Sequence, residues 1–297
     1  MAIVGLSNPI YSIYGNVGTN VYYYGGGSAG KAVEWSIELE ENDDNSFYAD
    51  NGVAESYNSF AGGTLTISTD DLTQEVSKAI LGVTERSLSD VPGITDENAA
   101  ELVFDDNQTI PYLGYGVIVK HIKDNQTLWT AIALNKIIFS NVNDTATTQG
   151  ETIEWQAPEL TATIMRDDSE THGWKKQATF TTQAQAISYL NYALNVGAAQ
   201  PALGSLSVQS AAGTSDGTTA LTVTPEPTAG NRYMIQTAST VTLPTSFGET
   251  VGAGWTSWDG TSDVVATTGN EIGVVEVSTT NQAIKAGKTT VTAKEAG

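Results

Sequence analysis

Val33-Glu34-Trp35-Ser36-Ile37-Glu38-Leu39-Glu40 alternates apolar and polar residues without a break. A period of two is that of an extended strand, whose successive side chains point to opposite faces. Val33, Trp35, Ile37 and Leu39 are therefore expected to face a core, and Glu34, Ser36, Glu38 and Glu40 to face water or a lumen. Gly63-Thr64-Leu65-Thr66-Ile67-Ser68 repeats the pattern. These two stretches set the expected class as mainly β.

Composition agrees with that class. The 297 residues include 29 glycines and are 40% hydrophobic, enough to fill cores and too much for a disordered chain. Net charge is −21. Such a surface repels nucleic acid and anionic membranes, although a channel through which DNA slides without sticking should itself be acidic. The acid is concentrated: residues 1–200 hold 26 acids against 9 bases, and residues 201–297 hold 8 against 4. The absence of cysteine excludes disulfides, thiol chemistry and zinc-thiolate sites. It leaves a cytosolic protein and an extracellular particle protein equally open. The opening Met1-Ala2-Ile3-Val4-Gly5-Leu6 lacks a basic flank and a long apolar run, so no secretory signal and no membrane span are expected. The expectation is a soluble chain made in the cytoplasm.

Around the alternating strands the chain divides into recognisable pieces. Residues 1–30 are rich in tyrosine and glycine without clear periodicity. They read as an arm whose Tyr11, Tyr14, Tyr22, Tyr23 and Tyr24 pack either on a neighbouring subunit or on the edge of the chain's own core. A helix is expected from Asp71 as N-cap, with Gln74 as its capping-box partner, a Leu72/Val76/Ile80 stripe and Gly82 as stop. Residues 41–61 read as a long polar loop and 84–111 as a long acidic connection. Strands are expected at 112–122, 128–140, 152–156, 160–166 and 174–181, then a helix at 183–194 with Ile187, Leu190 and Leu194 on one face. Residues 197–204, small and proline-containing, form a linker. Beyond it, seven or so short strands in 205–297 suggest an immunoglobulin-like sandwich.

No catalytic constellation stands out. His121 and His172, the two histidines, have no partner near them in sequence, and a nucleophile elbow is absent. Asp43-Asp44-Asn45 with Asp50-Asn51-Gly52 only loosely resembles a calcium loop, because Phe47 and Tyr48 stand where oxygen ligands are needed. No metal and no cofactor are expected, and the chain is not read as an enzyme. Trp255 and Trp258 could stack on sugar rings, or could be a core tryptophan beside a hairpin turn.

In their order along residues 1–196, several of these segments resemble the major tail protein, or tail-tube protein, family of long non-contractile tailed phages. They are Val33–Glu40; Phe47-Tyr48-Ala49-Asp50-Asn51; the helix of 71–82; the strand pair after it; and Trp155-Gln156 with Leu160-Thr161-Ala162-Thr163, followed by Trp174 and Phe180. The resemblance implies a tail-tube β-sandwich or barrel flanked by helix, assembling as hexameric rings that stack into a tube. DNA would pass through the lumen at ejection without specific binding. Implied partners are further copies of itself and the tail terminator, tape-measure and distal tail proteins; the implied location is the virion tail, after synthesis in the host cytoplasm, with no membrane. Residues 205–297 resemble immunoglobulin-like domains that decorate virion proteins. On this reading Glu34, Glu38 and Glu40 are lumen candidates, with a solvated outer face as the alternative. Tyr11, Tyr14, Tyr22, Tyr23, Tyr24, Phe47, Tyr48 and Asp50 are inter-subunit candidates. Two readings compete: a carbohydrate-binding or adhesive module using Trp255 and Trp258, and a capsid, pilus or surface-layer subunit.

Overall fold

The computed structural model describes residues 2–41, 45–49, 52–57, 59–70, 72–96, 98–141, 148 and 157–295, with 41, 45–49 and 52–57 as backbone alone. The chain is mainly β and forms two compact units, Met1–Gly15 with Tyr22–Gln200, and Asn16–Val21 with Pro201–Gly297.

The elements up to residue 200 run β1 (Ala2–Val17), β2 (Asn20–Ser28), β3 (Ala32–Glu41), β4 (Asn45–Ala49), β5 (Gly52–Tyr57), β6 (Phe60–Thr69) and α1 (Gln74–Leu81). They continue as β7 (Thr84–Ser87), β8 (Ala100–Val103), β9 (Leu113–Lys123), β10 (Gln126–Phe139), β11 (Glu159–Met165), β12 (Lys175–Phe180) and α2 (Gln183–Ala193). One sheet has the order β2-β1-β9-β10-β11-β6-β3, and β12 adds to β10. The β9–β10 hairpin turns through Asp124 and Asn125, at φ 50° and 63°. Left-handed backbone at both positions suits the two-residue turn that matches strand twist.

Alternation sorts the two faces of the sheet. Leu113, Tyr115 and Val117 of β9 join Leu65, Ile67, Leu160 and Ile164 in one core, on which Val76, Ile80 and Leu81 of α1 pack. The Thr73 hydroxyl caps α1 by accepting from Val76 N, and Gly82 ends it at φ 63° while donating to Lys78 O. On the opposite face α2 lies over β9, β10 and β12, burying Ala186, Leu190 and Leu194. Gly114 and Gly116 permit that approach: a Cβ on Gly116 would meet Leu190 Cδ1 at 2.6 Å.

Several expectations are corrected here. Residues 1–30 are not an arm but the hairpin β1–β2; its periodicity was hidden because register shifts at Ile3/Gly5 and Ser7/Ile10 change the strand's phase. The polar loop at 41–61 contains the hairpin β4–β5, and the connection at 84–111 contains the pair β7–β8. Backbone pairing holds both, and side-chain pattern alone did not reveal it. The helix cap is Thr73, not Asp71, which lies outside the described residues, as does the strand expected at 152–156.

The second unit contains β13 (Gly204–Ser205), β14 (Ser207–Ala212), β15 (Thr218–Thr224), β16 (Arg232–Ala238), β17 (Thr256–Trp258), β18 (Val264–Val265), β19 (Glu271–Val277) and β20 (Ala283–Thr290). One sheet is β13-β20-β19-β16-β17 and the other β14-β15-β18. The first two long strands and the late short one thus oppose the remainder, which is the immunoglobulin-like arrangement. Val208, Leu221, Val223 and Val264 from one sheet meet Tyr233, Ile235, Trp258 and Val274 from the other in a shared core.

Candidate functional site

The three strands β11-β6-β3 form the end of the first unit's sheet, and their register aligns side chains in rows. Glu34, Ser68 and Glu159 make one row; Ser36, Thr66 and Thr161 the next; Glu38, Thr64 and Thr163 a third, with Glu40 opposite Gly62. Directly paired residues share a face, so these three rows carry only carboxylates and hydroxyls. None of the three strands contains lysine or arginine. The reverse side carries Trp35, Ile67 and Leu160, then Ile37, Leu65 and Ala162, and belongs to the core.

Charge spacing along β3 follows from strand rise. Glu38 and Glu40 sit about 7 Å apart and Glu34 about 13 Å from Glu38. The screening length at physiological salt is about 8 Å. Repulsion within one chain is therefore modest, while copies arranged around a common axis would sum into a strong negative field.

β3 is also an open edge: among the described residues it pairs with β6 and with nothing on its other side. Of the four residues expected in the core, two are not there. Val33 is 57% exposed and Leu39 47% exposed. Val33 falls at a register shift between Ala32 and Glu34, and Leu39 lies opposite Gly63, which offers no side chain to pack on. Trp35 and Ile37 do pack, Trp35 stacking on Tyr115 with ring centroids 5.9 Å apart. A ten-residue, partly apolar edge strand offers unpaired main-chain groups to another chain.

The tyrosines divide. Tyr11, Tyr14 and Tyr23 are buried within their own chain, at 6%, 7% and 7% exposure. This corrects their proposed role on a neighbour, since rings already covered cannot cover another subunit. Tyr14 donates to Asp168 Oδ2 at 2.6 Å and accepts from Asp168 N at 2.9 Å, and Lys136 Nζ reaches the same carboxylate at 2.7 Å. Tyr23 donates to Asn135 O, and Asn135 Nδ2 to Asp167 Oδ2. Burial, then the Asp168 contact, pushes the Tyr14 hydroxyl up. Burial alone would raise Asp168, but the hydrogen bonds from Lys136 and Tyr14 outweigh it and hold that carboxyl low. The arrangement ties β1 and β10 to the segment after β11. Tyr22 and Tyr24, half-buried, stack on each other at 6.0 Å. The side chains of Phe47 and Tyr48, and all of Asp50, lie outside the described residues, as does most of the calcium-like loop.

Trp258 is 8% exposed and donates its indole N–H to Ser262 O at 2.8 Å, and Trp255 packs against the cluster of Met234 and Val275. Trp258 is thus a core residue, and Trp255 is partly buried. His121 is buried with Nδ1 unpartnered. His172 Nδ1 lies 3.2 Å from Asp167 O. No group of acidic or histidine side chains suited to a metal occurs among the described residues. None of the described helices is long and apolar enough to cross a membrane. Sequence reasoning missed Glu159, Thr161 and Thr163 as members of the acid and hydroxyl face. Their alternation was visible, but their place beside β6 was not.

No family model matches the chain. No curated protein matches it. Among solved structures, domains 7, 8 and 9 of the S-layer protein SbsC align at 16% identity over 80% of this chain and 72% of that one, with a TM-score of 0.28. A likeness of that size carries no argument about function.

Proposed function

We propose that the chain is a structural subunit of a phage tail tube, assembling with copies of itself around a lumen that DNA crosses without adhering. The observation that carries this reading is the position of the cation-free face Glu34/Glu38/Glu40 with Glu159 beside the open edge of β3. Edge pairing between copies would satisfy the exposed main-chain groups and cover Val33 and Leu39. It would also turn one acidic face per copy toward a shared axis, where like charge repels the phosphate backbone. The second unit then decorates the exterior, and the terminator, tape-measure and distal tail proteins are the expected neighbours. Negative-stain electron microscopy of the concentrated protein tests the proposal. Hollow tubes or stacked rings are expected, while flat sheets, closed shells or a persistent monomer would overturn it.

A further inference from the structure

Strand β15 is paired along the whole of one edge and only a fraction of the other. β14 runs beside it from Ser207↔Thr224 to Ala212↔Thr219, whereas β18 pairs with Thr218 and Thr219 alone. Gly217 O accepts from Ala266 N on the β18 side. Peptide groups in a strand alternate in direction, so those of Leu221 and Val223 point to that same side. Among the described residues no strand or side chain meets them there.

A third strand of full length would cover this edge. Here the chain turns away first, because the Asp259 carboxylate accepts from Thr261 N at 2.8 Å, from Ser262 N at 2.7 Å and from the Ser262 hydroxyl. The turn leaves a groove of about 640 Å³ whose walls include Leu221 and Val223 on one side and Trp258 and Asp259 on the other, with Tyr233 between the sheets. Its lining charges are Arg232, Glu226 and Asp259. Arg232 is already engaged by Ser278 O and Asn281 Oδ1. Both partners are neutral, and Glu226 is exposed and makes no ion pair among the described residues, so two carboxylates against one guanidinium leave the lining net negative.

The geometry points to a docking site for an extended peptide of another protein, added to β15 as a strand of about five residues. Alternate side chains of that strand would be apolar, against Leu221, Val223 and Tyr233, and a lysine or arginine would lie beside Glu226. A second copy of this chain fits poorly, because each copy carries a net charge of −21. The site does not rest on the tube reading, since a chain that never forms tubes keeps the same groove.

Hydrogen exchange and isothermal titration calorimetry on the full chain test it, with the synthetic peptide acetyl-Lys-Val-Thr-Val-Thr-Val-amide as probe. Binding is expected to slow amide exchange at 220–224. N-methylation of alternate peptide residues removes the donors to Leu221 and Val223 and is expected to weaken binding by about tenfold or more. E226K, at an exposed position, is expected to weaken it by about threefold to fivefold while leaving the melting temperature unchanged. The proposal fails if binding does not saturate, if protection appears at 32–41 instead, or if the N-methylated peptide binds as well as its parent.

Discussion

Glu276 and Lys285 face each other across the β19–β20 ladder, with Nζ 2.6 Å from Oε2 and the carboxylate wholly buried. The other oxygen accepts from Thr228 N at 2.9 Å and Asn231 Nδ2 at 2.7 Å. One side chain thus anchors the 228–231 turn to the centre of the sheet. Removing it strands three donors, so E276A should cost about 2–4 kcal/mol and E276Q less, because Gln still accepts. Urea unfolding of the full chain, followed by hydrogen exchange at 228–231 and 271–277, reads the difference. A change below about 0.5 kcal/mol would show that the network contributes little.

The same carboxylate sets a pH dependence. Desolvation would raise it, but the bonds from Lys285, Asn231 and Thr228 outweigh burial and hold it below its ordinary range. A group lowered in the folded state adds stability above its unfolded pKa, about 4.3 for Glu, and loses it as pH falls through the folded value. Asp168 is lowered in the same direction by Lys136 and Tyr14, against desolvation. The urea midpoint should therefore be level above about pH 5 and drop below about pH 4. E276Q should reduce that drop, and an unchanged acid limb would refute its assignment to Glu276.

Helix α2 rests on two glycines. A Cβ at Gly114 would lie 2.7 Å from Leu194 Cδ2 and Tyr23 Cε1, and one at Gly116 2.6 Å from Leu190 Cδ1 and 2.9 Å from Ile132 O. G116A should destabilise by about 1–3 kcal/mol. G27A, where nothing lies within 4 Å, should be close to neutral. Equal melting temperatures for the two variants would mean that α2 shifts freely on the sheet.

Edge pairing predicts a separation of folding from assembly. Val33 and Leu39 are exposed in the single chain, so V33K/L39K should alter its stability by no more than about 0.5 kcal/mol. Charge on an edge strand opposes pairing, so electron microscopy should show tubes for the parent and none for the variant. Tubes formed equally by both would remove β3 from the interface.

The acidic face predicts a gain of function on reversal. E34K/E38K/E40K changes the charge of one exposed face by six units, and duplex DNA should then bind in a mobility-shift assay with affinity falling steeply with salt. The parent should not shift. If the variant stays equally inert, this face does not govern DNA adhesion.

Much of this architecture is readable in the chain. Period-two alternation at 33–40 and 63–68, the Val76/Ile80 stripe and the Gly82 stop are local, and each appears as an element close to the expected bounds. Alternation breaks down as a guide where the backbone changes phase, as at the bulges of β1 that concealed a sixteen-residue strand. It also cannot tell a core from an edge, since Val33 and Leu39 satisfy the pattern of buried residues and are left bare by a register shift and by a facing glycine.

Composition and spacing alone establish a cysteine-free, acidic, mainly β chain, because charge count and side-chain period need no partner to be defined. Tertiary structure decides which strands are neighbours, and everything about the candidate surfaces depends on that. Glu159 joins Glu34 in one row because β6 lies between two strands more than a hundred residues apart in the chain. Tyr11, Tyr14 and Tyr23 turn inward because β1 and β2 belong to a sheet. A groove opens beside Leu221 because the Asp259 turn delays the start of β18. Hydrogen-bonded pairing between distant segments is a property of no single segment, and local periodicity carries no record of it.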